Sequence, residues 1–453
     1  MTGNPCHPIA DSARVRGRIG LNRDRKYSNM LDISDQGDER GTTSMTAGTS
    51  WPATAVAAAA PRVPVLARDE AVRSAGLIAD ALAVDAGRRD AQRVLPAAEL
   101  ESLTASGLLA ITVPGEYGGA DLPAETVAEV FRLLATGDPS VAQIPHSHFV
   151  YVNALRHQGT EAQQAFFFAE VLSGRRFGNA QSEVGTKHVR DIRTTLEPAG
   201  RGWLLNGTKG YSTGALFADW IPVLAHLGEG GPLHVAWVER TAPGVTVVDD
   251  WDGLGQRTTA SGTVELVDVA VQSARITPYH LTFEGPQTYG AFAQLLHSAI
   301  DAGIARAALT EAADFVATRS RPYPDAQVER AADDPLVVHA LGEMELQVRA
   351  AEALLAEAGR AVDRADADLT EQSAAAASLA VAAARASTTQ ASVEVASRLF
   401  EVAGTRSALA RLNLDRHWRN ARTHTLHDPA AWKVQHLGRY AVDGTLPPNH
   451  GQL

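Results

Sequence analysis

Three stretches of this 453-residue sequence bring imidazoles and hydroxyls together: "PHSHFVY" with His148, "GYSTGA" with Ser212 and Thr213, and "RTHTLHDP" with His424 and His427. An imidazole suits proton transfer because its ordinary pKa lies near the working pH, so it gives up and recovers a proton readily. The same ring ligates metal, and His424 and His427 stand at HxxH spacing. No third ligand is suggested nearby, so no metal site is expected. Isolated histidines are often satisfied structural residues, and among these three that plainer reading weighs most on His424. Arg321 and Arg406 are solitary arginines of the kind usually found in surface ion pairs, although the planar guanidinium fork also matches two phosphate oxygens at once. Trp251 in "DDWDGLG" reads equally as a core aromatic or as a wall of a binding site.

The elements that must position these residues fall into three zones. From about residue 66 to 173 apolar residues recur at three- and four-residue steps, as in "LARDEAVRSAGLIADALAVDAGRRD", "PAAELESLTASGLLAI" and "PAETVAEVFRLLAT", which predicts packed helices. The glycines and flanking prolines of "TVPGEYGGADLP" mark a loop between the second and third. After Gly178 short runs rich in β-branched and aromatic residues follow one another without intervening helices: "GWLLNGTKGY", "DWIPVLAHL", "LHVAWVER", "GVTVVDDW" and "TVELVDVAV". That spacing predicts an antiparallel barrel or sandwich, with Asn206–Gly207 in a hairpin turn. A dinucleotide-binding unit is excluded here, since it would alternate strands with helices and open on a glycine-rich phosphate turn. From about residue 288 the helical period returns, with Leu341, Met344, Val348, Ala351 and Leu355 on one stripe. Four helices, at about 288–320, 335–364, 370–403 and 429–441, suit a bundle whose alanine-rich third member permits close approach.

The bulk properties narrow the partners. With 45% apolar and 21% charged residues the chain is globular, and at this length two or three domains are expected. A formal charge of −11 gives no general basic field, so nucleic acid and anionic membrane are unsuitable partners and a small molecule is the default. Cys6 is the only cysteine, which excludes an intrachain disulfide and a cysteine-rich metal centre and favours a reducing cytoplasm. The stretch Ala374–Ala384 is mostly alanine and falls short of the roughly 18 to 20 strongly apolar residues of a membrane span. The first fifty residues contain no apolar signal core; residues 1–55 are expected to be a disordered tail, with Met45 an alternative start.

The order helices (56–175), sheet (176–284), helices (285–453) resembles the acyl-CoA dehydrogenase superfamily over about residues 65–445. "VPGEYGG" at 113–119, "NGTKGYSTGA" at 206–215 and "WRNAR" at 418–422 look like its loop after the second helix, its barrel segment beside the flavin and its bundle segment. The fold implied is an α+β chain with an N-terminal helical domain, a central antiparallel β-barrel and a C-terminal four-helix bundle. A dehydrogenase of this superfamily needs a carboxylate to take an α-proton. At the matching place this chain has Asp428, one methylene shorter than the usual glutamate and followed by Pro429. "WRNARTHTLHDPAAWK", "GNAQSE" at 178–183, "DDWDGLGQRTTASG" at 249–262 and "SRPY" at 320–323 instead resemble the flavin-dependent oxygenases of the dibenzothiophene monooxygenase and sulfur acquisition group.

That resemblance implies a two-component monooxygenase: reduced flavin and O2 form a flavin hydroperoxide whose distal oxygen is attacked by an organosulfur compound. It places His148, Thr213 and His427 at the reaction centre, with Ser212 able to stand in for Thr213. Asn179, Ser182 and Trp251 would face flavin or substrate, and Arg321 and Arg406 would reach the flavin phosphate, one across a subunit boundary. FMN is favoured, with FAD the alternative. The reduced cofactor would come from a separate NAD(P)H-dependent flavin reductase, and a homotetramer is implied. Oxygenation of an amine nitrogen or an aromatic carbon, acyl-CoA dehydrogenation and mere flavin binding stay open as alternatives.

Overall fold

The computed structural model describes residues 62–452. The expectations for the tail, including Cys6 and Met45, lie outside the described residues. Six helices come first: α1 (Arg68–Gln92), α2 (Ala97–Ala105), α3 (Ala124–Gly137), α4 (Pro139–Gln143), α5 (His146–Gln158) and α6 (Glu161–Leu172). The last three were not singled out as separate segments in the sequence, although they fall within the zone read as helical. Their boundaries have clear local causes: Asp138 caps α4 by accepting from the Ser140 and Val141 N–H groups, and Thr160 caps α6 in a reciprocal pair with Gln163.

Seven strands follow: β1 (Thr195–Ala199), β2 (Gly202–Lys209), β3 (Trp220–Leu227), β4 (Leu233–Glu239), β5 (Val245–Val248), β6 (Thr263–Val271) and β7 (Ile276–Thr277). They form one sheet in the order β5-β6-β2-β1-β3-β4-β7, in which β1 and β3 run parallel and every other pair is antiparallel. The sheet is therefore mixed and open rather than an antiparallel barrel. Its cause is the segment after Lys209, which leaves the sheet and returns β3 on the far side of β1 in the same direction. β3 is buried on both faces: Trp220 and Leu224 pack with aromatics of α5 and α6, while Ile221, Val223 and Ala225 join the inner apolar cluster.

The hairpin turn also lies elsewhere than expected. Ala199 pairs with Gly202, so the reversal is at Gly200–Arg201, and Asn206–Gly207 sits inside β2 at a bulge against β6. Gly207 is needed there because a Cβ would run into the Thr194 side chain, while the Asn206 amide exchanges hydrogen bonds with Asp268.

The chain ends in α7 (Tyr289–Thr318), α8 (Pro335–Ala367), α9 (Glu371–Ala403), α10 (Arg416–His424) and α11 (Ala430–Asp443). A separate α10 was not foreseen. α7 is buried on every side from Tyr289 to Ala305, as befits a central helix, with α3, α8, α9 and α10 around it. Met344, Val348, Ala351 and Leu355 of the α8 stripe are all buried. The small residues of α9 let it lie close to α7 and α8. No helix among the described residues is long and apolar enough to cross a membrane.

Candidate active site

A cavity of about 510 Å³ opens where α5, the segment after Gly178, the start of α7 and the turn after α10 meet. α5 begins at His146, so His146, Ser147, Val150 and Tyr151 fall on one face and line this space. His148 lies on the opposite face and is buried, away from the cavity. Its Nε2 donates to the Leu109 carbonyl at 2.8 Å and its Nδ1 accepts from the Phe177 N–H at 3.1 Å. Both ring nitrogens are spent on backbone, which leaves none for a ligand, contrary to the place at the reaction centre that the resemblance implied.

α7 contributes Tyr289, Ala293, Gln294 and His297 to the cavity, and the turn after α10 contributes His427 and Asp428. His427 Nδ1 lies 2.6 Å from the carbonyl oxygen of His424. A carbonyl only accepts, so Nδ1 carries the proton and Nε2 turns its lone pair inward, 3.4 Å from the side-chain Nε2 of Gln143. The His427 ring is exposed toward the cavity, with His297 and His424 packed against its other side. Desolvation, reinforced by the neighbouring His424 and Arg385, lowers its pKa to about 3. It is thus a neutral ring that accepts, not the readily charged donor expected from an ordinary imidazole pKa. Burial likewise lowers His146 to about 4 and raises Tyr151, Tyr279 and Tyr289, so these four side chains stand neutral in the wall.

Behind the wall runs a chain of buried charge. His424 Nδ1 donates to Asp301 Oδ1 at 2.6 Å, Asp301 pairs with Arg385, and Arg385 reaches Asp428 at 3.4 Å, which Lys433 holds from the other side at 2.7 Å. Burial alone would raise the Asp428 carboxyl, but Arg385 and Lys433 hold it below its ordinary value. The sequence reading missed His146, His297, Asp301 and Arg385. A signal existed for two of them: His297 and Asp301 are four apart within a mostly apolar stretch of α7, hence on one face of the helix.

The remaining candidates divide by location. Ser182 lines the cavity. Asn179 donates to the Tyr211 carbonyl at 3.3 Å, while its Oδ1 and the Ser212 Oγ are buried without a partner among the described residues. These two segments are in close contact, since a Cβ on Gly178 would strike the Ala215 backbone. Thr213 is not free: its hydroxyl bonds to Ser261 Oγ at 2.6 Å, which bonds to Thr259 at 2.7 Å. Trp251 does not line the cavity; it donates to the Gln256 carbonyl at 2.8 Å and bridges its own loop. That loop is fastened to α10 by Gly255 N–H on Thr423 and Gln256 N–H on Asn420, and it buries a Gln256 amide with no partner among the described residues. Arg321 and Arg406 are exposed at the opposite end of the bundle, where Arg406 donates to the Arg319 carbonyl at 2.8 Å. From His297 to Arg319 along α7 is roughly 30 Å at about 1.5 Å per residue. Neither arginine reaches the cavity of its own chain.

Comparison with known proteins agrees with this architecture. Residues 70–175, 177–269 and 295–431 match the N-terminal, middle and C-terminal domain models of acyl-CoA dehydrogenase. The chain is 36% identical to a dibenzothiophene monooxygenase of Mycolicibacterium goodii over 77% of its own length and 88% of the relative's. It is 30% identical to a probable FMNH2-dependent monooxygenase, SfnC, of Pseudomonas putida, covering 82% of this chain and 94% of that one. Among solved structures it is similar to FMN-bound TdsC from Paenibacillus sp. A11-2, with a TM-score of 0.80, 31% identity, and 84% of this chain and 100% of that chain covered.

Proposed function

The chain belongs to the acyl-CoA dehydrogenase family, and from that footing we propose that it is a flavin-dependent monooxygenase that uses reduced FMN and O2 to oxygenate an organosulfur compound. The observation that carries this reading over dehydrogenation is the state of Asp428. It stands where the family resemblance puts the dehydrogenase base, and it is clamped between Arg385 and Lys433. A carboxylate held below its ordinary pKa by two cations is a poor base for an α-proton. The monooxygenase relatives and the FMN-bound neighbour support the same direction.

The residues present fit a flavin. The orphaned Ser212 Oγ and Asn179 Oδ1, with Ser182, offer hydroxyl and amide groups suited to the edge of its ring system. Thr213 stiffens that wall through Ser261 and Thr259, and Trp251 braces the facing loop. Bound reduced FMN supplies the two electrons that send one atom of O2 to water while the other goes to the substrate. The protein's part is to exclude bulk water with Val150, Tyr151, Tyr289 and Ala293, and to offer the His427 Nε2 lone pair as a fixed hydrogen-bond acceptor beside the reacting atoms. Arg321 and Arg406, too far for their own cavity, hold the FMN phosphate of a neighbouring subunit, and the assembly is a homotetramer. A separate NAD(P)H-dependent reductase provides the reduced flavin in the cytoplasm.

The test is to supply chemically reduced FMN and ¹⁸O2 with a thiophene or a dialkyl sulfide. One ¹⁸O atom should enter the sulfur compound. Bleaching of oxidised bound flavin by an acyl-CoA under anaerobic conditions, without oxygen incorporation, would overturn the assignment.

A further inference from the structure

The HxxH pair does have a third partner, which the fold delivers from α7. One ligand nitrogen each from His297, His424 and His427 lies within 4.8 Å of the other two. His297 Nδ1 and His424 Nε2 are 3.1 Å apart. Two imidazole nitrogens bound at about 2.0–2.1 Å in a tetrahedral site stand roughly 3.4 Å from each other, so this pair is almost at ligand spacing.

The orientation of the rings is already fixed from outside. His424 Nδ1–H is held by Asp301 at 2.6 Å and His427 Nδ1–H by the His424 carbonyl at 2.6 Å, so each directs an Nε2 lone pair inward. A carboxylate or carbonyl on the remote ring nitrogen is what orients metal-bound histidines. His146 stacks on the His297 ring at a centroid distance of 3.9 Å and spends its own Nε2 on the Ala293 carbonyl, so it sets the ring plane without competing as a ligand. The Gln143 amide stands at the same spot, 3.0 Å from His424 Nε2 and 3.4 Å from His427 Nε2, so its oxygen is in reach to serve as a fourth ligand.

We propose that His297, His424 and His427, with Gln143 Oε1, form a site for a divalent transition-metal ion of the zinc class on the floor of the cavity, and that its occupation reversibly blocks catalysis. Three imidazoles and an amide oxygen select Zn²⁺, Co²⁺, Ni²⁺ or Cu²⁺ over Mg²⁺ or Ca²⁺. The surrounding charges are balanced, Asp301 and Asp428 against Arg385 and Lys433, and the nearby guanidinium weakens a cation's hold. That suits reversible rather than structural binding. A bound ion takes the His427 lone pair that otherwise accepts a hydrogen bond at the cavity wall. The blocking consequence rests on the monooxygenase reading, whereas binding does not.

The experiment uses the full-length, chelator-treated protein without flavin. Titration with Zn²⁺ by calorimetry should give one ion per chain, and Co²⁺ should develop the visible absorption of a tetrahedral nitrogen-rich site. His297→Ala and His427→Ala, both at the cavity surface, should each weaken binding at least about tenfold, and Asp301→Asn by roughly 10- to 100-fold through loss of ring orientation. Circular dichroism identifies any unfolded variant, in which case the His297 and His427 variants decide. Zn²⁺ should also inhibit sulfur oxygenation, and a chelator should restore it. No stoichiometric uptake, or equal affinity in wild type and His297→Ala, overturns the site. Binding that depends on these histidines in a protein that oxygenates no sulfur compound keeps the site and removes the monooxygenase reading instead.

Discussion

At the scale of single residues, what His427 can do depends on which of its nitrogens carries the proton. Its Nδ1–H is committed to the His424 carbonyl, so Nε2 is the atom available to the reaction. His427→Ala should lower oxygenated product roughly tenfold, the value of one lost hydrogen bond to the reacting atoms, while oxygen uptake continues and appears as hydrogen peroxide. Simultaneous measurement of oxygen, peroxide and sulfur product checks this, and unchanged coupling would move the role to another group. The stretch "LHDP" was enough to single out His427, because an imidazole beside a family motif is visible in one dimension. His146 was not legible in that way. The start of α5 points His146 and Val150 into the cavity and His148 to the opposite face, a difference of phase that the order of residues alone does not reveal.

At the scale of elements, His148 acts as a clip between the 3₁₀ turn at Leu108–Ala110 and the start of the segment at Phe177. His148→Ala leaves a buried carbonyl and a buried N–H without partners and opens a cavity, so it should cost roughly 2–4 kcal/mol. Denaturant titration reads this directly. A variant that keeps wild-type stability yet loses oxygenation would return His148 to the chemistry. The strands were readable from their β-branched runs, but Asn206–Gly207 misled because the same pair serves in a turn or a bulge, and only pairing with β1 and β6 decides which. The mixed sheet order was not readable either, since parallel pairing of β1 with β3 depends on the path of a segment with no periodicity of its own.

At the scale of the whole molecule, burial of neutral histidine ties stability to pH. Desolvation lowers His148 to about 4 from 6.5, so between those values the unfolded chain binds a proton that the native state refuses. Its contribution is complete above about pH 6.5 and is lost as pH falls through the window, by roughly 3 kcal/mol at about 1.4 kcal/mol per unit. Glu311 behaves in the same sense lower down. Burial opposes its ionisation, but His417 and Arg416 bring its pKa to about 2, so stability present above 4.5 is lost toward pH 2. Melting temperature should therefore fall from pH 6.5 downward, with a shallower loss in His148→Gln. Oligomerisation gives a second test. Arg406→Ala should weaken FMN binding roughly 10- to 100-fold, the value of a charge-assisted phosphate contact, and mixed oligomers with His427→Ala should recover part of the activity. No recovery in mixed oligomers would mean that the arginine does not serve a neighbour. The sequence by itself determined the class of each zone, the order of the three zones and the family, because periodicity and motifs are local properties of the chain. Only the tertiary structure decided that four histidines from α5, α7 and the end of α10 share one cluster at the cavity, that Asp428 is neutralised by Arg385 and Lys433, and that Arg321 and Arg406 stand far from their own cavity. Those are distances between residues as much as 281 positions apart, set by helix packing, and no local pattern carries them.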